Sequence, residues 1–222
     1  MLDLRRRERA LAVVLSATAG FVDAVGFIEV GGYFVSFMSG NSTRMVVNVA
    51  EGDLSGAGIA AMVLVSFFVG AVCGALVTRR RVLDDRPAVL GLVASLLALA
   101  LVLQLTTSVS VLGVPVGLAV VAAAMGSMNS VFHNGREVSL GVTYMTGAVV
   151  KSAHRLVDAL LGGAWGPYFH QLALWSALVI GGVLGAVIQM VAGAAALGVA
   201  VLVVLCTLIV TVVLRRREYR AP

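Results

Sequence analysis

Asp23 is the only carboxylate well inside an apolar run of this chain, which otherwise keeps most of its charges at the ends of such runs. Two cations fall in equally unusual company, Arg44 in "FMSGNSTRMVV" (Phe37 to Val47) and Lys151 in "YMTGAVVKSAH" (Tyr144 to His154). A charge at the centre of a bilayer costs about 2.5–3.5 kcal/mol on insertion scales, so each needs a partner, a wet cavity or an escape to the interface. An intramembrane carboxylate suits proton coupling, cation coordination or gating, which makes Asp23 the candidate coupling group. The small polar residues around the two cations suit something else. A helix starting at Ser39 or Gly40, capped by Ser39, Asn41 or Ser42, would present unpaired N–H groups and the positive end of its dipole. Thr146 and Gly147 would start a matching helix. Two such N-termini facing each other make a site for an anion or a partly negative group. Ser39, Gly40, Asn41, Arg44, Asn129, Thr146, Gly147 and Lys151 are therefore the candidate substrate-binding residues. The plainer alternatives are structural ion pairs, Arg44 with Asp23 and Lys151 with Asp158, or cations that snorkel.

The elements that position these residues are set by composition. The chain has 222 residues, 60% hydrophobic and 12% charged, against about 25% charged in soluble domains, and its mean hydropathy is +1.03. With several apolar runs of about 20 residues, this is an all-α integral membrane protein whose partner is the lipid bilayer. The net charge of +5 does not point to nucleic acid, because the arginines cluster at the ends of apolar runs, at 5–7, 79–81 and 215–217, as the positive-inside rule asks. The start resembles a signal peptide ending at Ala17-Thr18-Ala19, but the residues after it have a counterpart later in the chain, so it reads as an uncleaved first span.

The expected spans are 9–28, 57–78, 87–106, 112–133, 170–191 and 195–214. Between the first and second, and between the fourth and fifth, lie the two polar segments. If residues 33–50 crossed fully, Arg79-Arg80-Arg81 would lie outside. If they enter and return, every large basic cluster is inside. The expected topology is six transmembrane helices plus two re-entrant half-helices, in the cell inner membrane with both termini cytoplasmic.

The chain also repeats itself. Gly20, Asp23 and Val25 line up with Gly126, Asn129 and Val131 at an offset of 106 residues. Met38, Ser39, Gly40 and Arg44 line up with Met145, Thr146, Gly147 and Lys151 at 107, and "GAVCGA" from Gly70 with "GGVLGA" from Gly181 at 111. Three matches in one order with slowly growing offsets imply a duplication, with repeat 1 about 8–107 and repeat 2 about 111–215 in a single transmembrane domain. Three crossings per repeat invert the second against the first, a plan recurrent in secondary transporters.

Other features carry less. Cys73 and Cys206 lie in apolar runs without metal spacing and read as buried thiols. Gly70 and Gly74, with Gly181 and Gly185, are GxxxG pairs that suit packing between the repeats more than homo-oligomerisation. His133 and His154 could titrate near neutral pH but read as interfacial polar residues, as does His170 beside the aromatic belt of Trp165, Tyr168 and Phe169. No phosphate loop, nucleophile elbow or zinc motif is present, so neither an enzyme nor a cofactor is expected.

Thr18 to Phe27, Phe34 to Asn41, Gly126 to Ser130 and Thr143 to Gly147 resemble the motifs of the YoaK family of small polytopic bacterial inner-membrane proteins, a domain of unknown function. Ser39 stands where that family usually has threonine, and "GSMNS" where it has "GMQNA". The resemblance implies a polytopic membrane protein and no particular substrate. The residues themselves lead to a small secondary transporter or permease for a small polar solute, with anions favoured, bound at the midplane between the two re-entrant helix N-termini. An ion or solute channel and a non-transporting scaffold or sensor are the alternatives.

Overall fold

The computed structural model describes residues 6–79, 85–106, 110–111, 114–134, 137–138, 143 and 145–218. Arg5, Arg80, Arg81, Arg136 and Tyr144 lie outside the described residues. Eight α-helices follow one another: α1 Arg6–Glu29, α2 Met38–Glu51, α3 Leu54–Arg79, α4 Arg86–Thr106, α5 Val116–Met128, α6 Met145–Leu160, α7 Gly166–Ala192 and α8 Leu197–Glu218. Two-residue antiparallel ladders join Ser110–Val111 to Val114–Pro115 and His133–Asn134 to Glu137–Val138.

Among the described residues, four stretches qualify by length and apolarity to cross a bilayer: Arg7–Glu29, Leu54–Arg79, Arg86–Thr106 and the 51-residue Gly166–Arg216. The last would be about 77 Å long if straight, more than twice the hydrocarbon thickness. It is broken at Gly193, whose φ of 54° ends α7 and starts the short 3-10 turn Gly193–Ala196. The expected fourth span is a shorter apolar helix, Val116–Val131, which starts only after the Val114–Pro115 ladder and ends in a 3-10 turn at Asn129–Val131. The chain is thus a multi-pass membrane protein by its helices. Apolar side chains such as Phe68, Val69, Val183, Val187 and Met190 face outward, which suits lipid as the solvent.

The core is shared by α1, α4, α5 and α8, around Leu15, Val22, Leu90, Leu97, Leu118 and Val204. The ends of α1 and α4 lie side by side. Glu8 accepts a hydrogen bond from Arg86 at 2.6 Å at one end, and Glu29 accepts from Gln104 at 3.0 Å at the other. The two helices therefore run parallel.

Small residues set the closest approaches, and these come in pairs. A Cβ on Gly20 would strike the Leu178 carbonyl of α7, and one on Gly126 would strike the Phe67 carbonyl of α3. Gly181 and Gly185 lie against the Ala17 and Phe21 carbonyls of α1, while Gly70 lies against the Ala123 carbonyl and Gly74 against Ser127 and Ser130 of α5. The GxxxG pairs thus pack α7 on α1 and α3 on α5, as the sequence suggested. The cysteines correct the sequence reading, since Cys73 and Cys206 are both exposed. Their helices turn other faces toward neighbouring helices, Gly70 and Gly74 of α3 and Ala200, Val201 and Val204 of α8.

Candidate functional site

After α1 the chain doubles back. Gly31 and Gly32, with φ of 67° and 106°, make a turn that a side chain would strain, and residues 33–37 run back alongside α1 before α2 begins at Met38. Non-helical backbone at membrane depth must find its hydrogen bonds elsewhere, and two side chains supply them. Asp23 Oδ1 accepts from the Val35 and Ser36 amides at 2.8 and 2.7 Å, and Asp23 Oδ2 accepts from the Ser36 hydroxyl. Asn41, fully buried, accepts from the Phe34 amide at 2.9 Å and donates to the Phe34 carbonyl at 2.6 Å. Hydrogen bonds to a charged acceptor contribute about 1.5–3 kcal/mol each, so Asp23 is a principal fastener of this turn. No salt bridge between Asp23 and Arg44 occurs among the described residues.

Arg44 reaches instead toward the outer end of the turn. It donates to the Gly32 carbonyl at 2.7 Å and lies over the Tyr33 ring at 4.5 Å. The Tyr33 hydroxyl donates to the Gly56 carbonyl at 3.1 Å and accepts from Asn48 at 2.9 Å. The first residues of α3, the far half of α2 and the turn after α1 are therefore tied together.

The α5–α6 unit repeats the fastening with weaker chemistry. Asn129 donates to the Met125 carbonyl at 3.1 Å, and its Oδ1 accepts from the Thr143 hydroxyl at 3.2 Å and amide at 3.5 Å. Ser36 and Thr143 correspond at the 107-residue offset that relates Met38 to Met145. Their part in the site was not read from the sequence, although that offset marks them. Asn41 has Ala148 as its counterpart, so that position offers no second fastener in the second unit.

Helix α2 begins one residue before Ser39, with Phe37 as its N-cap and no side-chain cap. Of the expected caps, Ser39 lies inside the helix, Ser42 bonds backward to the Met38 carbonyl, and Asn41 is held by Phe34. The starts of α2 and α6 meet between two crevices of about 490 and 510 Å³ that share Phe37, Thr143 and Met145. The first is walled by Leu178, Val179 and Gly182 of α7 and reaches Asp23. The second is walled by Phe67, Phe68 and Ala71 of α3 and carries Ser36, Ser39, Thr146 and Gly147. The two walls correspond at an offset of 111 residues. Of the sequence-chosen residues, Ser39, Thr146, Gly147 and Asp23 line the crevices. Gly40 packs beneath Phe34 and Phe37, while Asn41 and Asn129 stand behind as fasteners.

Arg44 and Lys151 line neither crevice. Lys151 is exposed, and Asp158, its expected partner, accepts instead from Arg155 at 3.1 Å. The expectation of an anion loses these two cations, because both sit far enough along their helices to point away from the helix starts. Trp165, Tyr168 and Phe169 do cluster, with ring centroids 5.2–6.1 Å apart, at the start of α7. The side chain of His133 lies outside the described residues.

The family described as "Protein of unknown function (DUF1275)" matches residues 11–210. The chain is 32% identical over 199 residues to "UPF0700 transmembrane protein RA0705" of Rhizobium meliloti (strain 1021), covering 88% of this chain and 83% of that protein. No solved structure matches.

Proposed function

The chain belongs to the DUF1275 family, and from that premise we propose that it is a small secondary transporter or permease rather than an enzyme. The solute is small and polar and binds at mid-depth where α2 and α6 begin. The observation that carries this is the pair of corresponding crevices that meet at Phe37, Thr143 and Met145. Ser36, Ser39 and Thr146 line the crevice on the α3 side and Thr143 lines both, with largely apolar walls. With Arg44 and Lys151 turned away, the helix N-termini are the remaining attraction for an anion.

The architecture that goes with this reading has two inverted repeats, α1–α4 and α5–α8, with α2 and α6 re-entrant and six crossings. Three things support it. The glycine contacts recur with the repeats exchanged, α7 on α1 and α3 on α5. Helix α1 runs parallel to α4, which needs an even number of crossings between their starts, and α1 and α3 supply two without α2. Arg7, Arg86 and Arg215 line one cavity, so the positive-inside rule puts that end, and both termini, in the cytoplasm of an inner-membrane protein.

Asp23 acts as the gate. Protonation would remove the charge that holds Val35 and Ser36 and release the turn, opening the crevice beneath Phe37, whereas Asn129 has no charge to lose. Uptake of labelled small polar solutes into proteoliposomes tests the whole reading, with a thermal-shift screen to find the solute. Solute uptake driven by a proton gradient and weakened at least tenfold by Asp23→Asn is expected. Flux insensitive to any gradient would make the protein a channel. Full engagement of Asp23 by the turn also favours a static scaffold, and the absence of any flux or ligand-induced shift would select that reading.

A further inference from the structure

Another cavity lies away from the α2–α6 meeting point. It holds about 580 Å³ between α1 and α8 beside the start of α4. Arg7, Arg86 and Arg215 stand at its mouth with Glu8, which Arg86 contacts at 2.6 Å. Among the described residues that line it, three arginines stand with one glutamate. Below it, Leu11 and Val14 of α1 face Val210 and Cys206 of α8. From Arg215 to Cys206 is about 13 Å of helix, deep enough to take the upper part of an acyl chain beneath a headgroup. Polar lining is confined to the mouth and to Thr207 and Thr211, whose hydroxyls are satisfied by the Val203 and Thr207 carbonyls.

The geometry points to a binding site for one anionic phospholipid of the bilayer, its phosphodiester among Arg7, Arg86 and Arg215 and an acyl chain in the crevice below. Guanidinium forks match phosphate oxygens, and basic pockets between transmembrane helices are the usual seats of anionic headgroups. The apolar wall distinguishes this from a soluble phosphate site. A lipid held there would tie the first, fourth and eighth helices together at their arginine-rich end.

The test is native mass spectrometry and thermal melting of the full chain in detergent, with phosphatidylglycerol, phosphatidylcholine or soluble glycerol 3-phosphate added at equal concentration. Phosphatidylglycerol alone should stay bound and raise the melting temperature. The Arg7→Gln/Arg215→Gln pair should weaken its retention about ten- to thirty-fold. Val210→Trp, which fills the crevice without changing charge, should weaken it as well, and Arg79→Gln, at a helix end outside the crevice, should not. Equal retention of the two phospholipids would overturn the site, as would an equal effect of glycerol 3-phosphate. Retention unchanged in Val210→Trp, or lost as fully in Arg79→Gln as in the pair, would reduce it to nonspecific attraction at a basic surface.

Discussion

Asp23 and Asn129 occupy corresponding points of the α1–α2 and α5–α6 units and fasten corresponding residues, Ser36 and Thr143, yet with different chemistry. Asp23 gathers two amides and a hydroxyl onto a charge. Asn129 gathers the amide and hydroxyl of a single residue at longer range, without charge. The first unit adds a second clasp, Asn41 on Phe34, where the second has Ala148. Of these two units, one therefore has its turn held by a titratable group, and the other has a hold that does not change with protonation. Helix packing is shared between the units, and the fastening is where they part.

That contrast can be broken or sharpened by paired substitutions. The largest effect belongs to the shared packing. Gly20→Leu and Gly126→Leu each drive a side chain into a neighbouring backbone carbonyl and should each cost about 3 kcal/mol, read as lost melting temperature in detergent. If only one of them destabilises, the two contacts are not equivalent. Next comes the exchange of fasteners. Asn129→Asp adds a carboxylate with no waiting pair of amides and should cost about 2.5–3.5 kcal/mol. Asp23→Asn weakens three bonds to the charge but also removes a charge from the apolar run, so it should stay within about 1 kcal/mol while weakening gradient-driven uptake at least tenfold. Equal losses in melting temperature from the two exchanges would erase the distinction.

Third, Ser36→Ala removes a bond to a charge and should cost about 1.5–3 kcal/mol, against about 0.5–1.5 kcal/mol for Thr143→Ala, whose partner is neutral. The smallest effects fall on the matched cations. Arg44→Gln gives up the Gly32 carbonyl and the Tyr33 ring and should cost about 1–2 kcal/mol, whereas Lys151→Gln should change stability by less than about 0.5 kcal/mol. A thermal scan of the pair checks this. An equal loss at Lys151 would mean that it too has a fastening role.

Several of these features are legible in the sequence. The helices over Arg6–Glu29, Leu54–Arg79 and Arg86–Thr106 announce themselves by unbroken apolarity. The two interrupted segments stand out by their serines, threonines and glycines. The offsets of 106, 107 and 111 residues already pair Gly20 with Gly126 and Asp23 with Asn129. The interruption itself was readable because a bilayer tolerates polar backbone only where something satisfies it. What satisfies it was not readable. Arg44 looked like the natural partner of Asp23 by charge, but the turn brings the amides of Val35 and Ser36 closer and carries the guanidinium toward Gly32.

The sequence by itself determined the solvent and the helices over Arg6–Glu29, Leu54–Arg79 and Arg86–Thr106, since these follow from local composition, and comparing the chain with itself paired its two polar segments. Only the tertiary structure decided that Asp23 and Asn41 serve the backbone, that Arg44 and Lys151 leave the crevices, and that Arg7, Arg86 and Arg215 share one mouth. Those outcomes depend on where a turn of about eight residues folds and on how closely glycines let helices approach. Hydrogen bonds and cavities are settled by distances between elements far apart in the chain, and residue order does not record them.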